Sequence, residues 1–459
     1  MTTPFQRERP SPSMRLLRFL RPVATSLVLA SILCGLAAPA ARALSLLRDP
    51  DIEHALNQLA DPVLRAAGLG PGRIDIMIID DPSLNAFVVD PYHIFLHSGL
   101  ILRMKTPAML QAVIAHEAGH ITNGHMIGRP LAARNSGTAA KLGMALAVAA
   151  GALTGNAQAA LGVAAGTQGA AIGTFLAHSR AQENAADQTS MRYLARAGID
   201  PQGAVEVMNL FRGQEALSPS RRDAWARTHP LSRDRYRVVR QMAEANADKV
   251  RPQPQADYWF ARAKSKLSAF QRAPKWTQAR AGEYGFEDVR LMREAIAYHR
   301  RSDSARAVAT IDRAIALRPE DPYLHELKGQ ILMESRRFEA AAAAYGRAAQ
   351  LAPDNALIIG AYGRALLAEG QVARAQEFLE KARQLDGRDV RVMRDLAVTY
   401  ARQERRGMAA VVTAERYAMM DRMKDAALHA KRASDLLPRG SGAWQRAQDV
   451  LSAAKNAGK

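Results

Sequence analysis

The sequence of 459 residues has very little cysteine and few aromatic side chains. Its single cysteine, Cys34, lies in an apolar run near the N-terminus, so no disulfide can form within the chain. Ile32 and Leu33 precede Cys34 where lipid attachment needs small residues, which argues against a lipoprotein. Apolar residues still make up 48% of the chain, enough for packed cores in the two or three domains that its length predicts.

Acidic residues are outnumbered by basic ones, and the formal net charge is +19. Residues 1–43 hold six arginines against one glutamate, and the other basic residues are scattered through predicted helices. Nucleic-acid binding usually needs a clustered basic patch, and no such patch interleaved with aromatic side chains stands out here. The sequence therefore predicts solvated helix faces and no nucleic-acid partner.

Long hydrophobic runs are also missing, and the apolar run at residues 23–36 is too short to span a membrane comfortably. Arg15, Arg18 and Arg21 precede this run, and Ala41-Arg42-Ala43 follows it as a small-x-small cleavage site. This pattern predicts a secretory signal peptide at residues 1–43, with translation starting at Met1 or Met14. We therefore expect export, and a mature chain without cysteine.

Residues 116–120 read His-Glu-Ala-Gly-His within a predicted helix. Residues four apart lie on one face of a helix, so His116 and His120 can offer two imidazoles to one metal ion. Glu117 lies beside them and can act on a metal-bound water molecule. The motif is typical of zinc metalloproteases.

A catalytic zinc ion needs a third protein ligand, and residues 179–187 supply a candidate. Glu183 and Asp187 are four apart on a second predicted helix, so they share a face. Glu183 can complete a His-His-Glu site, and Asp187 can accept a hydrogen bond from a ligand imidazole. The rival third ligand is His125, but its spacing from His120 fails the metzincin pattern, so we expect it to pack or to support a ligand.

A third segment, Thr228-His229-Pro230 followed by Arg235, joins these two. The three segments together resemble the gluzincin family that includes the CAAX prenyl proteases and the membrane stress protease HtpX. The resemblance begins earlier, at residues 84–87 and 96–100, which look like the family's strand pair beside the active site. The turn between these strands departs from the family pattern, because Asp90-Pro91-Tyr92 stands where members often carry Gly-Gly.

The resemblance implies roles for individual residues. His116, His120 and Glu183 would bind one zinc ion per chain, and Glu117 would be the general base. His229 would lie near the metal, either polarising the substrate carbonyl or capping the zinc in a resting state. Arg235 would place the His229 loop, and Arg180 and Asp187 would support the ligands.

The protease segment is expected at residues 44–250, with strands at residues 74–80 and 86–89 and mainly helices elsewhere. Residues 142–179 contain no Asp, Glu, Lys or Arg and are rich in alanine and glycine. We expect two packed helices or a flap over the active site there, with peripheral membrane contact as the alternative. A connector with a basic amphipathic helix is expected at residues 251–283.

The last third contains an internal repeat with a period of about 34 residues, which is the length of a tetratricopeptide repeat. Small residues recur in three columns, which are Ala295, Gly329 and Gly363; Ala307, Ala341 and Ala375; and Ala314, Ala348 and Ala382. We expect such repeats at residues 284–440 as three good repeats, an odd helix and a degenerate cap, followed by a tail at residues 441–459. Stacks of this kind bind peptides or protein partners.

The predicted fold class is mainly α with a small β-sheet, a gluzincin-type protease domain followed by an α-solenoid. A signal peptide, a protease and these repeats narrow the resemblance to the periplasmic β-barrel assembly-enhancing proteases. The resemblance implies quality control in the bacterial envelope, with stalled or misfolded outer-membrane proteins as substrates and the outer-membrane assembly machinery as a partner of the repeats. The alternatives are a non-catalytic repeat adaptor with a vestigial zinc site, and a membrane-anchored protease of the HtpX type.

Overall fold

The computed structural model describes residues 46–70, 72–125, 180–218 and 221–457. The predicted signal peptide and residues 142–179 lie outside these described residues. Within them, none of the helices combines the length and the apolar character that crossing a membrane requires. The fold is mainly helical with one small sheet, which confirms the predicted fold class.

The sheet of the described chain has four strands in the order β1-β2-β4-β3. Their bounds are β1 Leu46–Leu47, β2 Asp75–Ile79, β3 Ala86–Asp90 and β4 His93–His97. β2 and β4 are parallel, whereas β1 and β3 pair antiparallel with their neighbours. β3 is therefore an edge strand of this sheet. The segment at residues 96–100 is a strand only as far as His97, because a helix begins at Ser98.

Helices surround the sheet in the N-terminal half of the described chain. They are α1 Pro50–Ala66, α2 Ser98–Arg103, α3 Pro107–Thr122, α4 Arg180–Ala197, α5 Gln202–Phe211, α6 Ala224–Thr228 and α7 Arg233–Ala245. α3 begins where Thr106 caps the helix by accepting from the Met109 N–H, and where Pro107 occupies the first turn. Every α3 residue from Met109 to His120 is buried, so the His-Glu-Ala-Gly-His motif lies in the core.

The segment predicted as a connector is part of the core. It forms α8, Pro254–Gln271, and a short helix α9, Pro274–Ala279. The sequence predicts a basic amphipathic helix here, with its cations in solvent. Two of these cations instead lie in the core, because the Arg262 and Lys266 side chains are almost completely buried. Burying a charge is costly unless it is paired, so these two residues need anionic partners.

Those partners come from both halves of the chain. Arg262 Nε donates to Asp51 on α1 at 2.5 Å, and the same guanidinium pairs with Asp321, just before a repeat helix. Lys266 Nζ lies 2.9 Å from Asp49 and 3.4 Å from Glu326. One buried ion network therefore joins the protease half, α8 and the repeats.

The repeats of the described chain form five helical hairpins. Their helices are α10 Glu287–His299, α11 Ser304–Leu317, α12 Pro322–Glu334, α13 Phe338–Leu351, α14 Ala356–Glu369, α15 Val372–Leu385, α16 Val390–Arg402, α17 Arg406–Met419, α18 Met423–Leu436 and α19 Gly442–Ala457. Small residues lie where the paired helices cross. A Cβ on Gly329, for example, would lie 2.7 Å from the Tyr345 ring.

Two features of the C-terminal part differ from the prediction. α16 and α17 begin one repeat period after α14 and α15, so a fourth hairpin continues in phase where the sequence predicts an odd helix. The expected tail at residues 441–459 contains α19, which buries Ala447 and Val450 and closes a fifth hairpin with α18. The helical hairpins therefore continue to Ala457.

Candidate metal centre

α3 places the two imidazoles of the motif side by side. The Nε2 atoms of His116 and His120 are 3.1 Å apart, because one helical turn separates the two residues. His120 is fully buried, and His116 is 6% exposed. Glu117, on the same turn of the helix, is also fully buried.

α4 brings Glu183 to this pair. Its Oε2 lies 3.4 Å from His116 Nε2, and its Oε1 lies 3.3 Å from His120 Nε2. The two helices can approach this closely because residue 119 is glycine. A Cβ at that position would lie 3.0 Å from the carbonyl oxygen of Ala186 on α4.

His229 joins the three residues from the end of α6. Its Nδ1 lies 3.2 Å from His116 Nε2 and 3.1 Å from Glu183 Oε1. Its Nε2 lies 3.3 Å from the carbonyl oxygen of Ala86 on the edge strand β3, and 3.5 Å from Glu117 Oε1. The imidazole therefore fills the space between the other two histidines and the edge of the sheet.

The four side chains together can hold a metal ion. Each offers one ligand atom, and these atoms all lie within 4.8 Å of one another. In a tetrahedral zinc site with bonds of about 2.0–2.2 Å, neighbouring donor atoms lie roughly 3.4 Å apart. The distances of 3.1–3.4 Å measured between the donors match this spacing. Two or three imidazoles and one carboxylate form a donor set that suits zinc.

A second layer of charged groups fixes the orientation of these donors. Asp187 Oδ1 lies 3.1 Å from His116 Nδ1, so the Nε2 of that ring faces the cluster. Arg235 Nε donates to Asp187 at 2.7 Å, and its Nη1 lies 2.9 Å from Glu183 Oε2. The same Nη1 also donates to the Pro230 carbonyl at 2.7 Å, which ties the loop after His229 to the ligand helix.

Two other candidates take different positions. His125 Nδ1 lies 2.9 Å from His120 Nδ1, on the far side of that ring from the cluster. Arg180 is exposed at the start of α4, and it makes no hydrogen bond or ion pair with any other residue that the structure describes. Arg235 and Asp187 thus contact the candidate ligands, whereas Arg180 forms no hydrogen bond or ion pair with them.

The electrostatics of the cluster keep Glu183 ionised, as a metal ligand must be, and leave on His116 a proton that a bound metal ion would displace. Burial alone would raise the pKa of Glu183, but His229 and hydrogen bonds to three histidines hold that pKa well below its usual value. Burial would also lower the pKa of His116, yet Asp187 and Glu183 raise it to about 10. Burial lowers the pKa of His120. A carboxylate that stays ionised and one neutral imidazole are suited to metal binding.

The contacts around His229 come from near and from far along the chain. The Trp225 ring stacks on the His229 ring with 4.1 Å between centroids. Thr228 Oγ1 donates to Asn85 Oδ1 at 3.2 Å, next to β3. The last contact joins residues that are 143 positions apart in the chain, and no local pattern marks it.

A small apolar cavity of about 40 Å³ adjoins the cluster beside His116 and His229. Its walls include Val113 on α3, Met208 and Phe211 on α5, and Leu231. This volume is far below the roughly 300–1,000 Å³ that is typical of ligand pockets, so the cavity is an apolar gap beside the convergent polar donors.

Residues 47–243 match the model of peptidase family M48, and residues 332–397 match a tetratricopeptide repeat model. The chain contains an M48 peptidase domain. All of the clustered donors, Glu117 and Arg235 lie in this domain. The match confirms the resemblance inferred from the three motifs.

Relatives of the M48 domain carry protease names. The chain is 27% identical over 220 residues to a Vibrio cholerae protein named as a beta-barrel assembly-enhancing protease, and 25% identical over 227 residues to the Escherichia coli protein of that name. Each match covers 48% of this chain and 44% of the relative, so the chain spans less than half the length of these relatives. It is also 28% identical over 180 residues to the mitochondrial metalloendopeptidase OMA1 of Schizosaccharomyces pombe, covering 39% of this chain and 49% of that protein.

Solved structures are similar to part of this chain as well. One is YrrB, a tetratricopeptide protein that is 18% identical, with a TM-score of 0.32, where the match covers 38% of this chain and 91% of that chain. Another is MamA, 21% identical, with a TM-score of 0.32, where the match covers 37% of this chain and 97% of that chain.

Proposed function

We propose that the chain is a zinc-dependent endopeptidase. The convergence of His116, His120 and Glu183, with Glu117 buried beside them, carries this proposal. Zinc held by these residues would act as a Lewis acid and would lower the pKa of a water molecule to about 7. The M48 family match and the protease names of the relatives support the same activity.

Glu117 is the proposed proton carrier. Its carboxylate accepts a proton from the attacking water molecule and later gives it to the amine that leaves when the peptide bond breaks. Its complete burial keeps bulk water away from the proton during this transfer. Asp187 and Arg235 hold His116 and Glu183 in place, so that the reacting groups need not reorganise.

His229 is proposed to be a latch. A catalytic zinc site keeps one coordination position for water or substrate, and His229 Nδ1 lies at ligand spacing from two of the other donors. Its Nε2 lies 3.3 Å from the Ala86 carbonyl on edge strand β3, where an extended substrate could add as a further strand. This position of His229 therefore blocks both the metal and the strand. In the competing role, His229 would stabilise the oxyanion of the tetrahedral intermediate.

The biological setting is proposed from the relatives and the repeats. Misfolded or stalled outer-membrane proteins of the bacterial envelope are the proposed substrates, and the repeats are proposed to bind them or the assembly machinery. The names of the relatives and the repeat match support this setting.

The proposed location is the periplasm, after export and cleavage behind residue 43. The basic residues, the apolar run and the Ala-x-Ala site support it. The N-terminal residue of the protein purified from the envelope fraction should be Leu44. Recovery of an intact N-terminus in the inner membrane would favour the membrane-anchored alternative.

The catalytic proposal is tested by two substitutions that separate metal binding from chemistry. Glu117→Gln should keep one zinc ion per chain and lose proteolysis by at least about 100-fold, because only the base is removed. Glu183→Gln should lower the zinc content, because it removes the anionic ligand. Glu206→Gln, on the exposed face of α5, is the matched control. Zinc analysis and digestion of unfolded casein give both readouts, and full activity of Glu117→Gln would exclude the mechanism.

A further inference from the structure

A second cavity of about 460 Å³ opens beside the start of α7, and its walls are rich in arginine. Arg212 follows α5, and Arg233, Arg237 and Arg240 lie on α7. Leu231 and the Tyr236 ring belong to the same walls. We refer to this space as the arginine cavity.

Three of these charges lie close together on one helix. Arg233, Arg237 and Arg240 are spaced i, i+4 and i+7, so they lie on one face of α7 and repel one another. Arg233 is also the first residue of the helix, where the helix dipole disfavours a cation. A concave cluster of like charges is suited to binding an anion.

The nearby carboxylates do not neutralise the cluster. Arg237 pairs with Asp234 at 3.2 Å and Arg240 pairs with Glu244 at 3.6 Å, but both pairs are exposed and therefore weak. Arg212 and Arg233 have no carboxylate partner among the residues that the structure describes. The guanidinium of Arg212 instead lies 5.6 Å from the centre of the Tyr236 ring.

The arginine cavity adjoins the proposed catalytic site. Leu231 lines both this cavity and the apolar cavity beside His116 and His229. An extended polypeptide advances about 3.3 Å per residue. A substrate whose scissile bond lies at the catalytic site could therefore place a side chain a few residues away in the arginine cavity. α7 also links the two sites, because Arg235 on this helix forms ion pairs with Glu183 and Asp187.

We propose that the arginine cavity is a substrate subsite for glutamate or aspartate side chains that flank the scissile bond. This proposal rests on the proposed peptidase function and names a class of preferred substrate. Guanidinium groups bind carboxylates through paired, charge-assisted hydrogen bonds, and Arg212 and Arg233 are available for such bonds. The concave shape and the shared wall favour a polypeptide chain over a flat anionic membrane surface.

The test compares quenched fluorescent peptides that differ only in Glu or Gln at positions two to four residues on either side of one cleavable bond. The wild-type protein should cleave the best Glu peptide with a kcat/KM roughly tenfold above that of its Gln partner, a ratio that corresponds to about 1.4 kcal/mol. The ratio should fall toward one in the Arg212→Gln/Arg233→Gln variant, and also at high salt, which screens exposed charges. The Arg432→Gln/Arg439→Gln variant removes the same charge from exposed sites on the repeats and should keep the preference.

A parallel binding measurement separates this proposal from the peptidase proposal. Labelled Glu and Gln peptides are titrated into the Glu117→Gln protein and into the same protein carrying the Arg212→Gln/Arg233→Gln pair. A Glu preference that the arginine substitutions remove supports the subsite even if the wild-type protein cleaves neither peptide. Equal cleavage and equal binding of both peptides would overturn the subsite and leave the peptidase activity intact.

Two further readouts make the test decisive. Removing Arg233 relieves repulsion in α7 and offsets the loss of the contact between Arg212 and Tyr236, so the double variant should melt close to the wild-type temperature, and loss of the preference then cannot come from unfolding. Sedimentation with vesicles of phosphatidylglycerol or phosphatidylcholine tests the membrane alternative. Arginine-dependent binding to the anionic vesicles, without any Glu preference in peptides, would replace the substrate subsite with a membrane contact.

Discussion

At the scale of single residues, His229 combines contacts that bear on regulation. Its Nδ1 lies among the candidate metal-binding atoms, its Nε2 lies 3.3 Å from the Ala86 carbonyl oxygen, and its ring stacks on Trp225. One side chain can therefore respond both to the metal and to a strand arriving at the sheet edge. The two proposed roles of His229 predict opposite effects when it is removed.

His229→Ala should increase the rate of casein cleavage and broaden the range of proteins cleaved. The physical reason is that the substitution frees the fourth coordination position and the Ala86 carbonyl together. An increase of roughly tenfold is expected if the open state is populated at about 10% in the wild-type protein. His325→Ala, on a repeat helix, is the control. Lower proteolysis, with the zinc content unchanged, would instead support the oxyanion role.

At the scale of secondary-structure elements, the metal centre depends on how closely α3 approaches α4. Gly119 lies one residue before His120, and its Cα faces the backbone of Ala186. Neither helix alone carries the whole donor set, since α3 holds two imidazoles and α4 holds the carboxylate. The separation of the two helices therefore sets the geometry of the centre.

Gly119→Ala should weaken zinc binding, by about tenfold, without lowering the helix content. The new Cβ would meet the Ala186 carbonyl oxygen at 3.0 Å, so the helices must separate slightly and Glu183 moves away from the histidines. Alanine favours helix by about 1 kcal/mol over glycine, so poorer stability is not the expected cause. Competition with a zinc indicator measures the affinity. Gly282→Ala is the control and should bind zinc normally, because its new Cβ would meet only a flexible arginine side chain at 3.8 Å. Normal zinc affinity of Gly119→Ala would show that the spacing of the two helices does not set the geometry of the centre.

The sequence predicts those elements that depend on the spacing of residues close together in the chain. His116, His120 and Glu183 sit at helical spacings, and small-residue columns mark the first three hairpins. The fourth hairpin is less clearly marked because Arg416 interrupts the column of Ala314, Ala348 and Ala382, although Ala397 and Ala409 continue the other two columns. The contact of His229 with β3 cannot be predicted from the sequence, because it depends on where α6 packs against that strand.

At the scale of the whole molecule, the buried ion network joins the M48 domain to the repeats. Its acidic member on α12, Glu326, is buried beside Lys266 but also near Asp49 and Asp51. Burial raises the pKa of Glu326, Lys266 opposes this effect, and the two aspartates add to it, so the pKa reaches about 7. The folded protein therefore holds a proton on Glu326 that the unfolded chain releases near the usual value of 4.5.

The free energy of unfolding should consequently fall as the pH rises from about 4.5 to about 7, because the folded state must then ionise a buried carboxyl group. Glu326→Gln should flatten the dependence in this window. Urea unfolding at pH 5, 6, 7 and 8 measures it for both proteins, with the exposed Glu339→Gln as the control. Parallel pH curves for the wild type and Glu326→Gln would show that Glu326 titrates normally.

α8 also determines where this protein can be cut or recombined. The match to the M48 family ends at residue 243, yet Phe260 and Leu267 of α8 belong to the apolar core of the protease half, while Tyr258 and Ala269 belong to that of the first repeats. A truncation at the family boundary would uncover apolar surface on α1 and would remove the guanidinium that pairs with Asp51. An exchange of repeats between relatives would preserve folding only if the crossover lay beyond Gln271 and the recipient repeats kept carboxylates at the positions of Asp321 and Glu326. The two halves are therefore joined through α8, although the M48 match ends before that helix begins.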